Sequence, residues 1–134
     1  MVSYVVDAIA GLGVERTIVV VGHQGSLVRD TLTQATNAGE SLEFVEQEIQ
    51  NGTAEAVRIA LDAFDQEEFE TDDGNMMVLP ADMPLLTTAT LAHLQEHHFN
   101  SGAAATLLTA EFRDAAGYGR IVRNQSGQVD RVVE

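Results

Sequence analysis

Short apolar segments alternate with segments of helical periodicity along this chain of 134 residues. The continuous β-branched run 17–21 is typical of a strand covered on both faces. Apolar side chains recur at helical spacing in residues 3–12, again after residue 25 and again after residue 53. Such alternation predicts an α/β fold, with a mostly parallel sheet and helices on both of its faces.

The apolar run that begins at Met76 ends in Asp82, and Pro84 follows two residues later. Proline bars further ladder pairing, so we expect a buried parallel strand that delivers the Asp82 carboxylate to its carboxyl end. Open α/β sheets bind ligands at that end, where a carboxylate can hold Mg²⁺ against the phosphates of a nucleotide. The alternative interpretation is an aspartate that caps a turn.

The remaining segments follow the same rules. Two further strands are expected at 42–45 and 103–110, and the polar stretch 46–53 between a strand and a helix is expected to be a loop. The acid-rich stretch between residues 62 and 73 reads as a solvated loop. Residues 119–134 predict a hairpin that turns around Asn124-Gln125-Ser126-Gly127.

The charge balance excludes several functions. Twenty-one acids face seven cations, all of them arginines, for a formal net charge of −14. Such a surface repels nucleic acid and anionic lipid, so neither is an expected partner. The absence of cysteine excludes disulfides and thiolate sites, and with no apolar run of membrane length and no leader pattern the expected location is the cytoplasm.

Four motifs occur in one order: Gln47-x4-Gly52-Thr53-Ala54, Asp82-Met83-Pro84-Leu85, Gly117-Tyr118-Gly119-Arg120-Ile121-Val122-Arg123 and Val132-Val133-Glu134. Together they resemble the uridylyltransferase domain of bacterial N-acetylglucosamine-1-phosphate uridylyltransferase, and the likeness covers essentially the whole chain. The resemblance implies a Rossmann-like nucleotidyltransferase fold that forms a single, partial domain over residues 1–134. It also implies UTP and N-acetylglucosamine 1-phosphate as substrates and Mg²⁺ as cofactor.

The resemblance also implies a role for each matching residue. Gln47, Gly52 and Thr53 would read the uracil, because an amide offers the donor and the acceptor that an imide edge requires. Asp82 would hold the Mg²⁺ that bridges the nucleotide's phosphates. Gly119, through its backbone, and Glu134, through its carboxylate, would bind the sugar phosphate.

Each of these residues also has an ordinary structural interpretation. Gln47 and Thr53 fit a solvated loop and a helix cap, and Glu134 fits a simple terminal acid. His93 and His97 lie one helical turn apart, as a metal pair would, but no third ligand is evident from the sequence. A solvated helix face is the preferred interpretation of that pair.

The chain also departs from the family pattern. Pro80-Ala81 precede Asp82 where the family has glycine, and a methyl group there would crowd a sugar or ribose. The family's glycine-rich loop, with its arginine and lysine, is expected to precede this chain, together with the first strand of the sheet. We therefore expect weak or no activity from the chain alone, and a second copy or a rearranged segment covering the open strand edge.

Two other functions remain open. One is a non-catalytic nucleotide-binding or assembly module that keeps only the nucleotide-reading loop. The other is a nucleotidyltransferase for a different base or sugar, since the string Leu79-Pro80-Ala81-Asp82-Met83-Pro84 also suits relatives that handle molybdopterin or other sugar nucleotides.

Overall fold

A computed structural model describes residues 1–23, 25–35, 42–64 and 74–133. The chain divides into two compact units, Met1–Ala103 and Ala104–Glu134. The helices are α1 (Val2–Ala10), α2 (Gly25–Ala35), α3 (Thr53–Leu61) and α4 (Thr88–Ser101), and the strands are β1 (Thr17–Val21), β2 (Leu42–Glu46), β3 (Arg120–Arg123) and β4 (Val129–Val133). The α/β class, with a parallel sheet and a carboxyl-terminal hairpin, is confirmed. Outside the described residues lie Asn37-Ala38-Gly39, where the sequence predicts the end of the second helix, most of the acidic stretch, and Glu134.

The first unit is built on a parallel pair of strands. β1 pairs with β2 from Thr17↔Leu42 to Val21↔Glu46, and both strands match the apolar segments predicted from sequence. α2 is the connection between them, as a parallel pair requires, and α3 packs against both strands. The carboxyl ends of the two strands therefore lie side by side at one edge.

Arg16 fastens the start of this sheet. Its guanidinium binds the carboxylate of Glu43 on β2 through two hydrogen bonds of 2.8 Å. It also donates to the carbonyl of Ala63, at 3.2 Å, and lies 4.4 Å above the centre of the Phe64 ring. One side chain thus joins the residue before β1 to the second strand and to the segment after α3.

The apolar core of the first unit lies among its helices. The helix α1 packs against both α2 and α4. The buried apolar side chains are Val5, Val6, Ala8, Val21, Leu32 and Leu91. Thr87 caps the start of α4, since its hydroxyl accepts a hydrogen bond from the backbone N–H of Thr90 at 3.2 Å, and Thr88 donates to the carbonyl of Ala8 at 2.9 Å. The sequence offers two threonines, Thr87 and Thr88, as caps of this helix, and the structure shows the cap at Thr87.

The second unit contains the predicted hairpin. β3 and β4 pair antiparallel from Arg120↔Val133 to Arg123↔Val129, with a register irregularity between Val122 and Arg123. The side chain of Asn124 closes the turn, accepting from the backbone N–H groups of Ser126 and Gln128 at 3.0 Å each. The placement of the turn from sequence is confirmed.

Two expected strands are wrong. Residues 74–80, which contain the apolar run before Asp82, form no strand, and Met76 and Val78 remain more than half exposed. Residues 103–110 also lack strand pairing and are largely exposed. An apolar run becomes a strand only where a neighbouring strand receives its backbone hydrogen bonds, and the described residues supply none to either segment.

None of the helices in the described parts of the chain is long and apolar enough to cross a membrane.

Two leucines test the position of the core. Leu91 is fully buried whereas Leu85 is 91% exposed. Leu91→Ala removes packed methyl groups and leaves a cavity, so it should lower the free energy of unfolding by about 2–5 kcal/mol. Leu85→Ala, the matched control, should change it by less than about 0.5 kcal/mol. Urea denaturation followed by circular dichroism measures both, and equal losses in the two variants would contradict this core.

The Arg16–Glu43 pair makes stability depend on pH. Hydrogen bonding from Arg16 lowers the pKa of Glu43 below its ordinary value. The folded chain then binds this proton less readily than the unfolded chain. The stabilisation is therefore complete above the unfolded pKa of glutamate and is lost as the pH falls through the lower, folded pKa.

We accordingly expect Glu43→Gln to cost at most about 1 kcal/mol near neutral pH, because the pair is partly exposed. The gap between variant and wild type should close as the pH falls below the ordinary range of glutamate. Glu111→Gln, at an exposed carboxylate with no ion pair among the described residues, is the control. Urea titrations at several pH values give the comparison, and a gap that does not change with pH would refute the assignment.

Candidate functional site

The loop that follows β2 is fixed to the end of β1. The backbone N–H of Gln47 donates to the carbonyl of Val21 at 2.8 Å, one residue beyond the last strand pair. Gln47 therefore lies at the carboxyl edge of the parallel pair. In α/β folds this edge is where ligands bind, because the strand-to-helix loops converge there.

The side chain of Gln47 is held in the loop but keeps one polar atom available. Its Nε2 donates to the carbonyl of Gly52 at 3.3 Å, and the residue is only 9% exposed. Within the described residues no buried side-chain nitrogen or oxygen lacks a partner. Since none of the described residues donates to the amide oxygen of Gln47, that oxygen is not fully enclosed and can accept a hydrogen bond from a ligand.

Gly52 gives the loop its shape. Its backbone has φ 92° and ψ −178°, a region that is essentially restricted to glycine, and it stands directly before the first residue of α3. Thr53 is that first residue and is exposed. Gln47 and Gly52 thus lie in the loop that leads to α3, and Thr53 begins that helix.

The residue after β1 lies close to the side chain of Gln50 in the same loop, a proximity that the sequence did not predict. Gly22 follows β1, and a Cβ atom built on it would lie 2.6 Å from Nε2 of Gln50. A side chain at this position would displace the end of the flexible, exposed Gln50 side chain. A glycine directly after a buried strand was the available signal, but nothing in the sequence pointed to Gln50 as its neighbour.

Asp82 belongs to the same unit, but its carboxylate is not held by hydrogen bonds as the side chain of Gln47 is. Its residue is exposed, and no described residue donates a hydrogen bond to its carboxylate. The described residues contain no group of three or more histidine, cysteine, aspartate or glutamate side chains arranged to hold a metal ion. A single exposed carboxylate fits Mg²⁺ when water and phosphate oxygens supply the other ligands, which is how Mg²⁺ is usually held with nucleotides.

The two residues expected to bind sugar belong to the second unit. Gly119 lines a surface depression of about 390 Å³ together with Gly117, Tyr118 and Arg120. The Tyr118 ring is stacked on Phe112, with centroids 5.1 Å apart and planes at 7°. Phe112 was not singled out from sequence. The structure describes no position for Glu134.

The arginines of the first unit already have partners. Arg16 binds Glu43, while Arg58 binds Glu55 at 2.8 Å and Asp62 at 2.8 Å. These carboxylates raise the pKa of Arg58, hydrogen bonding from Glu55 first among the causes. Arg29 lies 4.8 Å above the centre of an aromatic ring. The first unit therefore offers an approaching phosphate little uncommitted positive charge.

The backbone of Gly52 can be tested by substitution. Gly52→Ala places a Cβ in a region that other residues avoid, so we expect a loss of about 1–3 kcal/mol in the free energy of unfolding. Gly119→Ala is the control, since its backbone is not in the positive-φ region and its Cβ would meet Val132 at an ordinary 3.5 Å. Thermal denaturation compares the two, and the loop geometry is contradicted if both variants unfold at the wild-type temperature.

The chain was compared with known proteins. The model of the family described as "Nucleotidyl transferase" matches residues 1–134, which include both units. The protein named "Bifunctional protein GlmU" from Exiguobacterium sibiricum is 43% identical over 134 residues, which are all of this chain and 27% of that protein. The proteins of the same name from Geobacillus thermodenitrificans and Prochlorococcus marinus are 44% and 41% identical over the whole chain, which spans 27% and 28% of their lengths.

This chain thus corresponds to little more than a quarter of the length of these curated relatives. The matched region covers every residue of both units. From the match of the family model to every residue, we conclude that the chain belongs to the nucleotidyl transferase family.

Proposed function

We propose that this chain is the uridine-reading part of a uridylyltransferase, which transfers UMP from UTP to N-acetylglucosamine 1-phosphate. The products are UDP-N-acetylglucosamine and pyrophosphate. The observation that carries the proposal is the amide of Gln47, held at the carboxyl edge of the parallel strands with its oxygen open to a ligand. The identity of the sugar substrate is inferred from the resemblance of the motifs to the uridylyltransferase domain.

Uracil suits this amide because its imide edge carries one N–H donor between two carbonyl acceptors. The oxygen of Gln47 accepts from that N–H, and Nε2 keeps a second hydrogen besides the one donated to Gly52. Guanine and cytosine present different patterns of donors and acceptors. Gly52, with no side chain, leaves room for the base to lie against the backbone, and Thr53 offers a hydroxyl beside it.

The proposed reaction requires no covalent bond between the protein and the substrate. A phosphate oxygen of the sugar phosphate attacks the α-phosphorus of UTP in line, the bond between that phosphorus and the bridging oxygen breaks, and pyrophosphate leaves with the electron pair. Asp82 would bind Mg²⁺, which supplies charge neutralisation to the phosphates when it is present. Gly119 and Glu134 would orient the sugar phosphate.

The isolated chain should be a poor catalyst. It has no lysine and a net charge of −14, and the arginines of its first unit already have partners. Each missing contributor to the electrostatic stabilisation of a transition state commonly lowers the rate by about 10²- to 10³-fold. We therefore propose binding of UTP with turnover that is weak or absent.

Two further expectations remain predictions. One is that such a transferase works in the cytoplasm. A second copy of the chain is expected along β1, which among the described strands has a partner on one side only. The residues of β1 carry no charge. A strand from a second copy could therefore pair along that edge without repulsion from acidic side chains of β1.

Calorimetric titration tests the proposed base selectivity. With Mg²⁺ present, UTP should bind at least about tenfold more tightly than CTP or GTP, a difference of about 1.4 kcal/mol. Gln47→Ala should remove that preference, whereas Gln34→Ala, at an exposed position on α2, should keep it. Asp82→Asn should weaken UTP binding only in the presence of Mg²⁺, with Asp7→Asn on α1 as its control.

Equal binding of the three nucleotides, or a preference that survives Gln47→Ala, would contradict the proposal. A preference for another base would support a nucleotidyltransferase of different specificity. Release of pyrophosphate from UTP and N-acetylglucosamine 1-phosphate then separates a weak enzyme from a non-catalytic binding module. Turnover at a rate typical of enzymes, above about 1 s⁻¹, would contradict the electrostatic argument.

A further inference from the structure

A cluster of possible metal ligands lies on α4, away from the loop that carries the proposed function. The helix contains His93-Leu94-Gln95-Glu96-His97. His93, Glu96 and His97 line one surface depression of about 390 Å³ together with Asn100. The helical repeat explains the grouping, because residues three, four and seven positions apart lie on the same face.

The geometry of α4 favours a fixed distance between the two imidazoles. The helix has fourteen residues, begins at the cap made by Thr87 and ends at Gly102 in the left-handed conformation. His93 and His97 lie well inside these ends, so their Cα atoms are held one turn apart. Helix ends fray first, and neither histidine belongs to the first or last turn.

The third histidine of the helix has a different contact. Nε2 of His98 lies 2.9 Å from Oδ1 of Asn75, in the segment that precedes the apolar run. His98 is adjacent to His97 in sequence but is not among the residues that line the depression. Substitution of His98 is therefore a control, on the same helix, for substitutions of His93 and His97.

We propose that His93 and His97 form a two-nitrogen chelate for a divalent transition metal ion such as Ni²⁺, Cu²⁺ or Zn²⁺. Imidazole is a preferred ligand for these ions, and two histidines four residues apart on a helix can bind one ion together. The pattern His-x-x-Glu-His occurs on zinc-binding helices, where both histidines bind the metal. Mg²⁺, which prefers oxygen ligands, is not expected here.

The described residues define the limits of this site. They contain no third histidine, aspartate or glutamate arranged as a further ligand, so water completes the coordination. Glu96 lines the same depression and adds negative charge next to the ion without binding it. With two protein ligands the site is a surface chelate, and no hydrolytic activity follows from it. The inference does not depend on the proposed transferase function.

The test uses Ni²⁺ in calorimetry and Cu²⁺ in electron paramagnetic resonance, both with the full 134-residue chain. His93→Gln and His97→Gln should each weaken Ni²⁺ binding by about tenfold or more, because each leaves a single imidazole. His98→Gln, on the same helix, should stay within about twofold of wild type. Glu96→Gln should have a smaller effect than either histidine variant, since only a charge is lost.

The Cu²⁺ spectrum of the wild type should show hyperfine coupling to two nitrogens, and both single variants should lose one of them. Far-ultraviolet circular dichroism confirms that α4 is retained in the variants. Equal Ni²⁺ affinity in all four proteins, or a Cu²⁺ spectrum with only oxygen ligands, would overturn the proposal. A spectrum that changes in His98→Gln but not in His93→Gln would overturn it as well.

Discussion

The parallel pairing of β1 with β2 is the constraint on which the candidate site depends. The pairing places the ends of both strands at one edge, and the hydrogen bond from Gln47 to Val21 continues it into the loop. Gln47 cannot move away without breaking that bond. Its amide group is thus positioned at the carboxyl edge of the strands by a backbone hydrogen bond.

Charge decides what this arrangement can do. An amide recognises a base without adding charge, which suits a chain with 21 acids. A triphosphate is different, because it needs cations that the first unit has already committed. Arg16 serves to join β2 to the segment after α3, and Arg58 neutralises two acids on and next to α3. Under the proposed function, recognition of the base and catalysis would be separable: the loop would bind the base, and Mg²⁺ with further cationic groups would neutralise the phosphates.

Much of the fold could be predicted from local pattern. The β-branched run that forms β1, the helix that begins at Thr53 and the turn at Asn124 are each specified by neighbouring residues alone. The segments 74–80 and 103–110 could not be predicted in the same way, because a strand also needs a partner that the sequence pattern does not reveal.

The candidate site shows the same difference between what local sequence predicts and what tertiary packing decides. Gln47 and Gly52 lie in one loop and Thr53 begins the helix after it, so their spacing in sequence sufficed to place them together. The contact between Gly22 and Gln50 joins two loops through a crossover, and Phe112 stacks on Tyr118 across a turn. Such pairs depend on tertiary packing. Asp82 is exposed as a ligand site would require, but it lies in an irregular segment and not at the end of the buried strand that was expected.

Nuclear magnetic resonance of the ¹⁵N-labelled chain titrated with UTP and Mg²⁺ tests the central claim most directly. The side-chain amide of Gln47 and the backbone amide of Gly52 should shift together along one binding curve, while Gly127 in the hairpin turn stays in place. If UTP binds and the amide of Gln47 does not move, the loop does not read the base and the account fails.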